Sequence, residues 1–205
     1  MALLGGVLQF FPATAGAKTG GWLTGGHDES QTYHSPLTQI RADNIDRLGF
    51  AWDYDLQTTH GQEATPVVVD GVMYASAPGG WVHALDPGTG KRLWTFDPAF
   101  DKDVLRKVCC GIVSRGLAVS RERVFVATLD GRLVALDAKT GEKRWEADTI
   151  VDKERGYTVT GAPYIAGNVV VIGNSGAELD ARGYVSAYDL ASGHLRWRFY
   201  TVPGS

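Results

Sequence analysis

Three tryptophans in one register constrain this chain more than any other feature. Trp81 to Trp94 reads WVHALDPGTGKRLW, Gly131 to Trp145 reads GRLVALDAKTGEKRW, and Gly183 to Trp197 reads GYVSAYDLASGHLRW. Asp86, Asp137 and Asp189 therefore recur at intervals of 51 and 52 residues, as do Trp94, Trp145 and Trp197. In each copy an alternating apolar strand, carried in the middle one by Leu133 and Ala135, closes on Ala-x-Asp, turns through Thr-Gly or Ser-Gly, and resumes as a strand bearing the tryptophan. That is the grammar of a β-hairpin. The aspartate and the hydroxyl can cap the turn by bonding its backbone, and the glycine admits the positive φ. A period of roughly fifty residues with several strands in each period belongs to propeller blades. A lone blade cannot bury both of its faces. Each indole ring is therefore expected in the seam between neighbouring blades, contributing about 2 kcal/mol or more by burial.

The segments between the copies supply the remaining strands. The first unit is expected to run from Ala64–Val69 through the Asp70-Gly71 turn to Val72–Ala77, the second from Arg115 through Leu117–Val119 to Arg123–Thr128, and the third from Thr160 through Ala162–Ile165 to Asn168–Ile172. Ile45–Leu56 reads as a further strand centred on Trp52, the closing outer strand of a blade whose other strands lie elsewhere. Gly20–Asn44 is polar and turn-rich, an irregular segment wrapping the fold. Two inserts break the rhythm, Asp97–Gly116 between units one and two and Gly173–Arg182 inside unit three. Insertions at one end of a propeller are where function usually sits. The expected architecture is all-β, a partial β-propeller of four-stranded blades spanning residues 18–205 as one domain.

Composition narrows the partners. Twenty basic against 23 acidic residues give a net charge of −3 with no basic cluster, which argues against nucleic acid. Met1–Ala17 is apolar, lacks a basic start, and ends in two small-x-small sites, Ala13-Thr14-Ala15 and Ala15-Gly16-Ala17. It is read as an export signal rather than a buried first strand or a disordered tail, and it is too short and too broken by Gly and Pro for a membrane span. Export would permit disulfides.

Few residues here can carry chemistry. Cys109 and Cys110 are the only cysteines, and they are adjacent. Bonded neighbours have Cα atoms only about 3.8 Å apart, below the ordinary disulfide range, so such a bond distorts the peptide and adds little loop-closure stability. Two thiols in a loop is the commoner state of a Cys-Cys pair, and on these residues alone both readings stand. Zinc or haem ligation by the pair is disfavoured, because Cys-x-x-Cys is absent and no histidine is close by. The five histidines are dispersed and are expected to be structural or surface residues. Gly88-Thr89-Gly90-Lys91 departs from phosphate-loop spacing and is explained by the repeat as a turn. Taken singly, Arg115 reads as a surface ion-pair residue and Glu63 as a solvated loop acid.

Taken together, several short motifs resemble the N-terminal part of the pyrroloquinoline-quinone-dependent alcohol dehydrogenases, a family that includes methanol dehydrogenase and the quinohaemoproteins. The motifs are Gln62-Glu63-Ala64-Thr65-Pro66, Cys109-Cys110 with Ser114-Arg115-Gly116, Thr160-Gly161-Ala162-Pro163, and Gly176-Ala177-Glu178 ahead of Arg182-Gly183-Tyr184. The resemblance runs from about Trp22 to the last residue and takes in Ser35-Pro36-Leu37-Thr38-Gln39 and Phe199–Gly204. It implies an eight-bladed propeller, of which about three blades are present here. It further implies a quinone stacked under a Cys109–Cys110 disulfide, with calcium beside it. Glu63, Arg115, Thr160 and Ser175 would bond the quinone's polar edge, Gly176 and Ala177 would present backbone, and Glu178 would be a metal ligand. Three carboxylates and several carbonyl oxygens on the quinone call for guanidinium, hydroxyl and N–H donors, and a carboxylate is a hard ligand for a hard cation.

The resemblance implies oxidation of a primary alcohol to an aldehyde, with electrons passing to cytochrome c or a membrane quinone, in the periplasm and in association with the membrane in some members. The family's general-base aspartate, a further calcium ligand and a second stacking tryptophan come from later in its chain, as does the haem c of the quinohaemoproteins. This stretch is therefore expected to be an N-terminal piece, inactive alone and without catalytic residues of its own. The opposing reading is a non-enzymatic propeller scaffold that binds protein partners. Mass spectrometry of exported, unreduced protein is expected to find no free thiol at Cys109 or Cys110, and two alkylatable thiols would remove the disulfide.

Overall fold

The computed structural model describes residues 21–108, 111–120 and 122–204. Both cysteines and the expected leader at residues 1–17 lie outside the described residues. Among the described residues, twelve strands form three antiparallel four-stranded sheets in chain order. The first blade holds β1 (Val67–Val69), β2 (Val72–Ala77), β3 (Trp81–Leu85) and β4 (Arg92–Phe96). The second holds β5 (Leu117–Ser120), β6 (Arg123–Ala127), β7 (Arg132–Asp137) and β8 (Lys143–Asp148). The third holds β9 (Tyr164–Ala166), β10 (Val169–Gly173), β11 (Tyr184–Asp189) and β12 (Leu195–Tyr200).

The repeat is structural down to its irregularities. Ala84, Ala135 and Ala187 pair with Trp94, Trp145 and Trp197, and a bulge follows each of those alanines. In the third hairpin Asp189 Oδ1 accepts bonds from the N–H of Ala191 (3.0 Å) and Ser192 (2.9 Å) and from the Ser192 hydroxyl (2.9 Å). Asp86 caps its own turn in the same way. The Arg144 guanidinium, 2.6 Å from Asp137, together with the Thr140 N–H, holds that carboxyl down to about 2. The caps therefore stay ionised well into acid.

The tryptophans do dock across seams, and they do so in one direction. Trp94 donates its indole N–H to the carbonyl of Ala138 at 3.0 Å, and Trp145 donates to that of Leu190 at 3.1 Å, each acceptor being the residue after the next blade's capping aspartate. The ring lies flat against the next blade's turn glycine. A Cβ on Gly141 would sit 2.6 Å from Trp94, and one on Gly193 would sit 2.6 Å from Trp145. These glycines have φ of 75° and 73°, so the positive φ and the close ring contact both require glycine. Trp197 occupies the equivalent register but is 47% exposed, with Leu195 and Phe199 exposed on the same strand.

Three sequence expectations are corrected. The middle blade does not alternate: Val124, Phe125 and Val126 of β6 and Leu133 through Leu136 of β7 are all buried, because one face packs on the first blade and the other on the third. A strand covered on both faces reads as a continuous apolar run. Ile45–Leu56 is not a strand; it contains a 3-10 turn at Ile45–Arg47 and then irregular chain. A strand needs a neighbour to bond, and no described strand pairs with this segment. Trp52 docks nonetheless, with its N–H 3.0 Å from the Pro87 carbonyl and its ring against Gly90. Finally, the first strands of blades one and three begin later than expected, at Val67 and Tyr164, while that of blade two begins at Leu117 as expected. Pro66 and Pro163 have no N–H to give the ladder, which helps release the preceding residues from it.

The Asp97–Gly116 insert is pinned to the second blade by a half-buried ion-pair network. Arg132 bridges Asp130 (3.0 Å) and Glu146 (3.2 Å) and donates to the Pro98 carbonyl (2.9 Å), while Asp130 accepts the N–H of Asp101 (2.9 Å). Burial opposes ionisation of Asp130, but its bonds from Arg132 and Thr128 outweigh burial and hold the carboxyl below its ordinary range. A cavity of about 340 Å³ beside this network is lined by Val104, Ile150 and Tyr157 as well as the charged groups.

Truncating a docked indole should be costly and truncating the exposed one cheap. Trp145→Ala is expected to lower the unfolding free energy by about 2–4 kcal/mol and Trp197→Ala by less than about 1 kcal/mol. Denaturant unfolding of the two variants of this chain measures the difference.

Candidate cofactor-binding rim

Because strands alternate in direction and each blade has four, the first strand of every blade starts from the same end. The residues just before β1, β5 and β9 therefore meet near the inner edge. Glu63, Arg115 and Thr160 occupy those places, and the structure links them. Arg115 Nε lies 3.2 Å from Glu63 Oε2, and Arg115 Nη1 donates to Thr160 Oγ1 at 2.6 Å. Thr160 Oγ1 is in turn 2.9 Å from Ser175 Oγ, and the Arg115 N–H bonds the Thr160 carbonyl at 3.0 Å. Four residues singled out from sequence thus form one polar line crossing three blades.

The line is open to a ligand. The side chains of Glu63 and Arg115 are 46% and 51% exposed, so their ion pair contributes at most about 1 kcal/mol to stability. A guanidinium fork and two hydroxyls along one accessible edge are suited to carboxylate and carbonyl oxygens. The donor set fits the quinone named by the sequence resemblance.

Ser175 is set by a bridge to Thr158, whose carbonyl accepts the Ser175 N–H at 2.8 Å. Gly176 follows with φ of 106°, and a Cβ there would collide with the carbonyl oxygen of Gly156. Its own carbonyl accepts the N–H groups of Leu179 (2.9 Å) and Ala181 (3.1 Å), closing the 3-10 turn Ala177–Leu179. This turn carries Ala177 and Glu178 on the surface. Among the described residues no three His, Cys, Asp or Glu side chains gather closely enough to hold a metal ion. Glu178 alone does not make a calcium site, which takes six to eight oxygens.

His83 behaves as the structural histidine expected from sequence. It is 4% exposed and shares its Nδ1 with the Tyr54 hydroxyl at 3.2 Å, and burial, aided by Arg92, lowers its pKa. Sequence reasoning passed over Ser76, a wholly buried serine in β2. Its carbonyl accepts from Gln62 Nε2 at 2.6 Å and its hydroxyl accepts from Ser114 at 3.1 Å. Nothing in the local sequence distinguishes it from a filler residue.

Blades joined by tryptophan docking, with an accessible polar line at the inner ends of their first strands, define part of a β-propeller. Residues 22–205 match the family model described as PQQ, glucose/ethanol/alcohol dehydrogenase, beta-propeller domain, and the chain belongs to that family. It is similar to the 1-butanol dehydrogenase (cytochrome c) of Thauera butanivorans, 52% identical over 188 residues, which are 92% of this chain and 27% of that protein. The structure of quinohemoprotein alcohol dehydrogenase ADHIIG from Pseudomonas putida superposes with a TM-score of 0.89 at 49% identity, covering 92% of this chain and 28% of that one. A europium-containing methanol dehydrogenase superposes with a TM-score of 0.86 at 34% identity, over 91% of this chain and 33% of that one. The chain thus spans about a quarter of the length of the curated relatives it matches.

The Gly176 geometry gives a direct test. Gly176→Ala is expected to displace the 173–182 loop, with a loss of about 2–4 kcal/mol from strain and overpacking. Faster limited proteolysis near Leu179 and a lower unfolding midpoint would report it.

Proposed function

We propose that this chain is the N-terminal, cofactor-holding part of a pyrroloquinoline-quinone-dependent alcohol dehydrogenase that oxidises primary alcohols to aldehydes. The observation that carries the proposal is the Glu63–Arg115–Thr160–Ser175 line across three blades, in a chain of this family. When bound, pyrroloquinoline quinone supplies the two-electron acceptor for the alcohol. Arg115 binds and orients its carboxylates, with Glu63 fixing the plane of the guanidinium. The bonded Thr160–Ser175 hydroxyl pair keeps one hydrogen free to donate to its oxygens, and Gly176 and Ala177 would present backbone to it. The family resemblance implies that Cys109 and Cys110 pair as a disulfide, and Glu178 would contribute one oxygen ligand to a calcium site completed outside this chain. The proton-accepting base is also supplied from outside it.

The same proposal places the protein in the periplasm, exported by its first 17 residues, with cytochrome c or a membrane quinone as electron acceptor and haem c in a later domain. The similarity to the 1-butanol dehydrogenase (cytochrome c) of Thauera butanivorans supports a small alcohol and that acceptor. No helix among the described residues is long and apolar enough to cross a membrane.

A charge-assisted bond to a carboxylate contributes about 1.5–3 kcal/mol. Arg115→Ala in the complete apoprotein is therefore expected to weaken quinone binding by about ten- to a hundredfold, read by equilibrium dialysis. Wild-type affinity in that variant would sink the assignment of the rim. The 205-residue chain alone is expected to show no dye-linked alcohol oxidation when quinone and calcium are supplied.

A further inference from the structure

The Glu63–Arg115 pair cannot set its own geometry. Both side chains are about half exposed, and a surface ion pair gains little against the entropy of two long side chains. Something more rigid must hold the two chain segments at the right spacing. The last β1–β2 pair is Val67 with Tyr74, so Ala75–Ala77 of β2 run on without an inner strand beside them. Ser76 lies in that gap with 0% exposure. Its carbonyl accepts Gln62 Nε2 at 2.6 Å, and its hydroxyl accepts the hydroxyl of Ser114, itself 6% exposed, at 3.1 Å. Gln62 immediately precedes Glu63, and Ser114 immediately precedes Arg115. One buried residue is therefore bonded to the neighbour of each half of the ion pair, and the two neighbours belong to entries into different blades.

We infer that Ser76 is a positioning residue for the rim, holding Glu63 and Arg115 in register so that the guanidinium meets the cofactor's carboxylates already aimed. This rests on the rim being the quinone site. The physical basis is the asymmetry of buried hydrogen bonds: removing the Ser76 hydroxyl leaves that of Ser114 unsatisfied in a water-poor site, and the Ser114–Arg115 segment relaxes to find another partner. Ser76 is fully buried and has no surface to offer a ligand, so its effect must pass through Arg115.

That dependence can be measured on the complete apoprotein by equilibrium dialysis with pyrroloquinoline quinone. Ser76→Ala is expected to weaken binding about tenfold, and Ser114→Ala, which breaks the same bond from its donor side, by a similar factor. In the Ser76→Ala background, Arg115→Ala should cost markedly less than it does in the wild type, because an arginine already out of position has less to lose. A merely structural role for Ser76 would leave the two losses additive, and additivity would overturn the inference. Binding by Ser76→Ala within twofold of wild type, with Arg115→Ala still weak, would overturn it while sparing the rim. Undiminished binding by Arg115→Ala would overturn both.

Discussion

Everything else in this structure depends on an indole ring lying against a glycine of the next blade. A four-stranded antiparallel sheet buries one face at best, yet here the middle blade buries two. The seam that permits this has a flat ring, a turn with no Cβ, and one N–H aimed at a carbonyl. Burial supplies most of the energy, and the hydrogen bond fixes the angle at which it is obtained. The aspartate caps serve the same end. By holding the turn in one shape, they keep the glycine's bare face and the acceptor carbonyl where the incoming ring needs them.

The inserts then use what the seams provide. A rigid pair of blades gives the Asp97–Gly116 segment a surface to be fastened to, and Arg132 does so with side-chain and backbone bonds at once. Because Asp130 and Arg132 are only 13% and 22% exposed, the pairing is far less screened than the surface pairs elsewhere. The segment leading to Cys109 and Cys110 is thus anchored by the blade whose first strand follows Arg115.

Much of this was legible in the sequence, and the limits have physical causes. The hairpins were visible because aspartate, hydroxyl, glycine and tryptophan each have a local job that leaves a mark at a fixed spacing. Glu63, Arg115, Thr160 and Ser175 were visible through resemblance, and the structure joins them, although no spacing rule would place residues 45 and 52 apart in one line. The Trp52 segment misled because its pattern is that of a strand, while strand formation depends on a partner that a pattern does not report. Ser76 was invisible because a serine inside an apolar strand carries no periodic signal; its meaning lies in two contacts from distant parts of the chain.

The acceptors of the docking bonds are backbone carbonyls, on Pro87, Ala138 and Leu190. A carbonyl is the same on every residue, so this bond is generic, while the apolar faces packed beneath it differ from seam to seam. The inner rim is the opposite case: Glu63, Arg115 and Thr160 stand at corresponding blade entries and share no chemistry. Blades are therefore alike in the bond at their outer edges and individual at their inner ones, so exchanging two of them would keep the kind of bond and break the Glu63–Arg115–Thr160 line.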